Sequence, residues 1–213
     1  TCNRTDSELP SDAMDPRDLY PRYLRRRLLE ALADSPVTLI HGPRQSGKTT
    51  LARLVVAELG YEYVTFDDDV QRAAAQADPV GYVADLPQRI ILDEVQRVPE
   101  LFISLKAAVD ADRVPGRFVL TGSANVLLVP RLAESLVGRM EILRLHPLSQ
   151  AELAGNEPAF LSRVLTGDLP ARTSGHRLGR ALADRIAGGG YPAALARSTS
   201  RRRAAWYRDY VDT

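Results

Sequence analysis

At 213 residues the chain is long enough for one full-sized core with a small appendage, and its 45% hydrophobic and 26% charged residues give the balance of an ordinary globular protein. A net charge of +1 supplies no global electrostatic case for nucleic acid or a membrane surface, and the single cysteine, Cys2, excludes an internal disulfide. No apolar run approaches the ~18 residues that cross a bilayer, so a cytoplasmic protein without a membrane partner is expected. Of the 28 basic residues only Lys48 and Lys106 are lysines, which makes any lysine in a motif conspicuous.

Residues 1–13 are polar and are expected to form a disordered extension. Asp15 followed by Pro16 predicts a helix to Ala33, with Tyr20, Leu24, Leu28, Leu29 and Leu32 on one apolar stripe and Arg25, Arg26 and Arg27 largely on a solvated face. A helix placed ahead of the first strand can close over a nucleotide base, which singles out the stretch from Tyr20 to Tyr23. Val37-Thr38-Leu39-Ile40 is a short, β-branched run suited to a buried parallel strand. Next comes His-Gly-Pro-Arg-Gln-Ser-Gly-Lys-Thr-Thr at 41–50, which contains Gly-x-x-x-x-Gly-Lys-Thr from Gly42 to Thr49. Leu51, Leu54, Val55 and Leu59 then recur at helical spacing, with Gly60 as a left-handed stop.

A glycine-rich turn between a strand and a helix curls so that successive N–H groups form a concave nest for anionic oxygens, and the helix adds its positive end. The residues that cradle a nucleotide triphosphate in this way are Gly42, Pro43, Arg44, Gln45, Ser46, Gly47, Lys48, Thr49 and Thr50. Lys48 is the charge that reaches the β- and γ-phosphates, and the Thr49 hydroxyl is placed to ligate Mg²⁺.

Tyr61 to Phe66 reads as a second strand, and Asp67-Asp68-Asp69 as a helix cap in preference to metal ligands. A helical stretch from Ala73 to Leu86 is broken at Asp78-Pro79. Arg89 to Leu92 is an apolar strand ending in Asp93-Glu94. Asp93 is the expected Mg²⁺ ligand through water, and Glu94 the base that orients and polarises an attacking water. A helix starting at Val98-Pro99-Glu100 precedes the strand at 117–121. At that strand's end lie Gly122, Ser123, Ala124 and Asn125, where a small polar side chain can meet the γ-phosphate.

Leu127 to Leu136 is expected to be helical, and Met140 to Leu145 to be a strand; Ser149 with Glu152 matches a capping box. Helical fragments and loop should fill 155–177, since Pro158, Gly167, Pro170 and Gly175 interrupt them. His41, His146 and His176 lack metal-ligand spacing and read as structural. Leu178, Ala181, Leu182 and Ile186 form a stripe that Gly188-Gly189-Gly190 breaks before Tyr191-Pro192. Beyond Ser200, Trp206, Tyr207, Tyr210 and Val211 share one face with Arg201, Arg202, Arg203 and Arg208 around them. That aromatic helix is expected to meet a further domain, a protein partner or a second copy of the chain.

Taken together, these landmarks resemble the AAA+ class of P-loop ATPases, and more narrowly a prokaryotic family of AAA domain ATP-binding proteins related to the archaeal-type and STAND-like ATPases. The resemblance runs from about Tyr20 to Thr213 and is carried by 42–50, Leu-Asp-Glu-Val-Gln at 92–96, Leu-Thr-Gly-Ser at 120–123, Ser-Leu-Val-Gly-Arg at 135–139, Pro-Leu-Ser at 147–149 and Gly-Gly-Tyr-Pro at 189–192. It implies that Lys48 and Thr49 belong to Walker A, Asp93 and Glu94 to Walker B, Ser123 to the first sensor, and Arg139 to a sensor or an arginine finger acting on a neighbour's nucleotide. It also implies a nuclease-like domain after this point.

The expected fold is α/β, a P-loop core of parallel strands flanked by helices over 14–150, with a small helical lid over 151–213. The expected activity is Mg²⁺-dependent hydrolysis of ATP to ADP and phosphate that drives a conformational switch. GTP is disfavoured because no Asn-Lys-x-Asp sequence occurs. Two alternatives stand beside it: an ATP-dependent phosphotransferase, and a nucleotide-gated module that binds protein or, through Arg25–Arg27 and Arg201–Arg203, DNA.

Overall fold

The computed structural model describes residues 19–123, 126, 136, 138–157, 159–168 and 179–212, and at positions 56 and 57 the backbone alone. Five strands carry the apolar runs: β1 (Val37–Gly42), β2 (Glu62–Thr65), β3 (Ile90–Asp93), β4 (Phe118–Ser123) and β5 (Met140–Arg144). All pair in parallel, in the order β2-β3-β4-β1-β5. Central β1 and β3 are buried along their whole length, as continuous apolar runs require, whereas the edge strands β2 and β5 are partly exposed.

Because side chains alternate along a strand, the sheet packs two separate cores. Val37, Leu39, Ile90, Leu92, Phe118 and Leu120 point to one face. There they meet α3 (Asp69–Ala77), α4 (Pro79–Ala84) and α5 (Leu101–Ala111) through Ala75, Val83, Phe102 and Leu105. Ile40, Ile91, Val119 and Leu143 point to the other face, against α1 (Leu24–Asp34) and α2 (Lys48–Leu59) through Leu28, Ala31, Leu51 and Val55.

Helix α1 begins at Leu24, later than its apolar stripe suggests. Pro21 disfavours helical backbone at Tyr20, and Arg22 reaches out to other elements instead of continuing a helix. Residues 15–18 lie outside the described residues, as do the extension 1–13 and, apart from position 136, the helix expected over 127–136. The acids after β2 are a cap and surface pairs: Asp68 accepts from the N–H groups of Val70 at 2.7 Å and Gln71 at 3.3 Å, while Asp67 pairs with Arg97 at 2.7 Å.

Beyond β5 the chain forms α6 (Gln150–Leu153), α7 (Phe160–Thr166), α8 (Arg180–Gly188), α9 (Pro192–Leu195) and α10 (Ser200–Val211). The capping box opens α6: Ser149 Oγ accepts from the Glu152 N–H at 3.2 Å, and the Glu152 carboxylate accepts from the Ser149 N–H at 2.8 Å. The same buried carboxylate accepts from the Tyr23 N–H at 3.0 Å and lies 3.3 Å from Arg22 Nε, tying the segment ahead of α1 to α6.

Gly190 presses the tail onto the core. Its carbonyl accepts from the Leu148 N–H at 2.7 Å, and a Cβ there would sit 2.1 Å from the Leu148 carbonyl oxygen. Tyr191 then packs on α10, with ring centroids 5.4 Å from Trp206 and 4.9 Å from Tyr210. No helix among the described residues is long and apolar enough to cross a membrane.

Replacing Glu152 with alanine strands the Arg22 charge and two backbone donors. Glu152→Ala is expected to lower unfolding free energy by about 3 kcal/mol in urea denaturation. A loss under about 1 kcal/mol would show that the pair is solvated and does not anchor α6.

Candidate functional site

The loop after β1 sits at the carboxyl edge of the sheet, where the strand order turns back and β1 is flanked by β4 and β5. Gly42 can have no side chain here, because a Cβ would lie 2.1 Å from the Leu145 carbonyl oxygen. Gln45 adopts a positive φ of 58°, which curls the loop, and Lys48 opens α2. Lys48 Nζ folds back across the loop and donates to the carbonyls of Gly42 at 3.2 Å and Pro43 at 3.0 Å. Burial lowers its ammonium pKa from the ordinary lysine value, while Glu94 and Asp93 act in the opposite direction.

Asp93 is the point where the elements converge. Thr49 Oγ1, on the first turn of α2, lies 3.2 and 3.1 Å from its two carboxylate oxygens. Tyr63 on β2 donates to Oδ2 at 2.6 Å, and Thr121 on β4 donates to Oδ1. Thr121 Oγ1 in turn accepts the Glu94 N–H at 3.2 Å. Glu94 takes a left-handed backbone, φ 56° and ψ 42°, which turns the chain out of the strand, and its carboxylate accepts from Gln96 Nε2.

Ser123 ends β4 in register with Gly42, so it borders the loop, half-buried. The acids, the loop and Ser123 thus meet at one edge, as strand ends in a parallel sheet must. Arg139 does not join them. It precedes β5, whose first residue Met140 pairs with Val37 at the start of β1, so about 17 Å of strand separates it from the loop. Its guanidinium grips Asp110, with Nη2 3.0 Å from Oδ2, and holds that carboxyl below its usual range. The expectation that Arg139 is a sensor for this chain's own nucleotide is therefore corrected: a residue entering a parallel strand lies at the opposite edge from residues leaving one.

A cleft of about 670 Å³ opens beside the loop. Lys48, Thr49 and Glu94 line its polar side, and Tyr20, Leu148 and Pro192 its apolar side. Three contributors were not legible as site residues. Arg22 donates from Nη1 to the Ser46 carbonyl at 2.8 Å and from Nη2 to the His146 carbonyl, bracing the back of the loop. Tyr63 and Thr121 solvate Asp93; Thr121 lies within the Leu-Thr-Gly-Ser stretch at 120–123, which gave it no role of its own, and the signal for Tyr63 is that it shares the face of Asp93 on the sheet.

Arg139→Ala is expected to leave nucleotide affinity within about twofold in isothermal titration, since the lost pair is exposed and remote from the loop. A tenfold loss would return Arg139 to the site.

A family model described as an AAA domain matches residues 34–154. Two uncharacterized proteins, Rv2008c of Mycobacterium tuberculosis and Mb2031c of Mycobacterium bovis, are each 41% identical over 145 residues, 68% of this chain and 32% of theirs. The chain thus spans about a third of the length of these curated relatives. A cytidylate kinase of Streptococcus pyogenes is 35% identical over 92 residues, 43% of this chain and 37% of that protein. Among solved structures, the Walker-type ATPase PABY2304 of Pyrococcus abyssi superimposes with a TM-score of 0.57 at 17% identity, covering 92% of this chain and 73% of that one, a likeness of fold. The match over more than half the chain, together with the five-stranded parallel sheet and its loop, places the protein in the AAA domain family of P-loop ATPases.

Proposed function

We propose that this domain binds ATP with Mg²⁺, hydrolyses it to ADP and phosphate, and uses the cycle to move helices α6 to α10. The observation that carries the reading is the contact between Thr49 Oγ1 and the Asp93 carboxylate at 3.1 and 3.2 Å, directly below the loop. One hydroxyl and one carboxylate fit a small, hard cation whose remaining ligands are water and phosphate oxygens. An all-protein cage is not what such a site uses, and no group of three or more His, Cys, Asp and Glu suited to a metal occurs among the described residues. Thr49 and Asp93 would hold Mg²⁺ there, and the cation would supply positive charge against the charge that develops on the phosphates.

The chain's own residues do the rest. Loop N–H groups from 44 to 49 hold the β-phosphate, and Lys48 exchanges its two carbonyl partners for phosphate oxygens. Glu94 takes a proton from water as the water oxygen bonds to the γ-phosphorus and the bond to the β-bridging oxygen breaks, releasing ADP. Ser123, beside Gly42, is placed to hydrogen-bond the γ-phosphate. The apolar side of the cleft, with Tyr20, Leu148 and Pro192, suits the adenine ring. A carboxylate next to the metal ligand favours water as the acceptor over a second substrate.

The switch reading draws on Tyr210, whose hydroxyl donates from α10 to the Arg44 carbonyl in the loop at 3.2 Å. Tyr210 also stacks on Trp206, the only tryptophan, with centroids 5.0 Å apart and planes 17° apart. Rearrangement of the loop around phosphate would disturb that stack.

Lys48→Ala is expected to weaken ATP binding about 100-fold, while Glu94→Gln binds ATP within about threefold of the parent and turns over at least 100-fold more slowly. Equal turnover in the two variants would refute the assignment of roles. Phosphate release without any acceptor, followed by a coupled assay, separates hydrolysis from phosphotransfer. ATP is also expected to change Trp206 emission, and Tyr210→Phe to diminish that change with affinity held within about threefold; an undiminished response would uncouple α10 from the loop through this contact.

A further inference from the structure

We propose that Tyr63 is a positioning residue for Asp93 that sets how firmly the site holds its divalent cation; the inference builds on the Mg²⁺-ATP reading above. In the β2–β3 register Tyr63 lies opposite Ile91 and Thr65 opposite Asp93. Tyr63 therefore starts two residues, about 6.6 Å, short of the carboxylate along the strand, on the same face of the sheet. A short hydroxyl side chain at that position would not span the offset. The tyrosine ring does, and its Oη reaches Asp93 Oδ2 at 2.6 Å.

The ring is itself held. The Arg53 guanidinium, on α2, lies 4.9 Å from its centroid, so the helix that presents Thr49 also seats Tyr63. From the other side of β3, Thr121 donates to Oδ1. The carboxylate is thus fixed between donors from β2 and β4, leaving its remaining lone pairs facing the Thr49 hydroxyl. Without the Tyr63 hydroxyl one side of that clamp is gone, and the carboxylate can rotate toward Thr121. Loss of an outer-shell partner of this kind weakens metal binding about tenfold. Phosphate binding by the loop backbone does not pass through Tyr63 and should be spared.

The test is Tyr63→Phe, which keeps the ring and its Arg53 contact. Binding of a fluorescent ADP analogue is followed across a Mg²⁺ titration and again in EDTA, with Tyr82→Phe as control. That control removes a tyrosine hydroxyl whose partner is Gln71 Oε1, 2.7 Å away and outside the site. The Mg²⁺ concentration for half-saturation should rise about tenfold in Tyr63→Phe and stay unchanged in Tyr82→Phe, with affinity in EDTA within about twofold for both. Arg53→Ala, an exposed change that frees the ring without removing its hydroxyl, should shift the Mg²⁺ requirement the same way by about threefold, and it decides the matter if Tyr63→Phe does not fold. An unshifted Mg²⁺ titration overturns the role of Tyr63 and leaves the ATP reading standing, as does an equal loss of affinity in EDTA. A parent protein that binds the analogue without any dependence on Mg²⁺ overturns both.

Discussion

The constraint on which the site depends is a carboxylate, Asp93, only 4% exposed at the end of a central parallel strand. Burying an ionised group costs several kcal/mol unless donors replace its water. Here three hydroxyls do so, from α2, β2 and β4. That set exists only because β3 lies between β2 and β4 and all three strands run the same way. The same strand order puts β4 beside β1, which brings Ser123 into register with Gly42. The sheet topology is thus what allows the carboxylate to be buried, hydrogen-bonded and aimed at the loop.

Local strain gathers at the same edge. The two non-glycine residues with positive φ among the described residues, Gln45 and Glu94, both belong to the site. A left-handed residue of this kind costs about 1–2 kcal/mol, and it persists where surrounding contacts determine it. For Glu94 these are its N–H on Thr121 and its carboxylate under Gln96. The turn they enforce ends β3 at Asp93, so adjacent acids diverge: Asp93 stays under the loop while Glu94 lines the cleft.

Much of this was legible in the chain because its signals are contiguous. The loop from 42 to 49, the acids after Leu92 and the Ser149–Glu152 capping box each lie within ten residues, and local backbone geometry is enough to place them. What was not legible depends on partners far apart in sequence. Arg22 meets Ser46 and His146, and Tyr63 meets Asp93, across separations that only the fold closes. Arg139 was misplaced for a different reason. Glycine-arginine before a strand matches a familiar pattern, yet a parallel sheet sends the residue before β5 to the far edge. The rule that gathers site residues at strand carboxyl ends already keeps it from this chain's own loop, and it bears on that half of the expectation alone, not on a role at a neighbour's nucleotide. Pro21 similarly outweighs the stripe that would start α1 earlier, since the backbone restriction at Tyr20 acts before any apolar face can pay for a turn.

Coupling between the loop and the tail has a size that can be bounded. The Tyr210 hydroxyl on the Arg44 carbonyl is one neutral hydrogen bond, worth about 1 kcal/mol net, which biases a two-state equilibrium only about fivefold. A cycle that moves α8 to α10 decisively needs a larger difference between states. The cleft supplies the means, because its apolar side is drawn from both the segment before α1, at Tyr20, and the segment around α9, at Pro192 and Leu195. A base inserted between them removes apolar surface of both from water at about 25 cal/mol per Å², so 100 Å² shared in this way adds about 2.5 kcal/mol that an empty cleft lacks. In the cycle we propose, the phosphates therefore set the conformation of the loop, and the base supplies most of the free energy that draws the tail onto it.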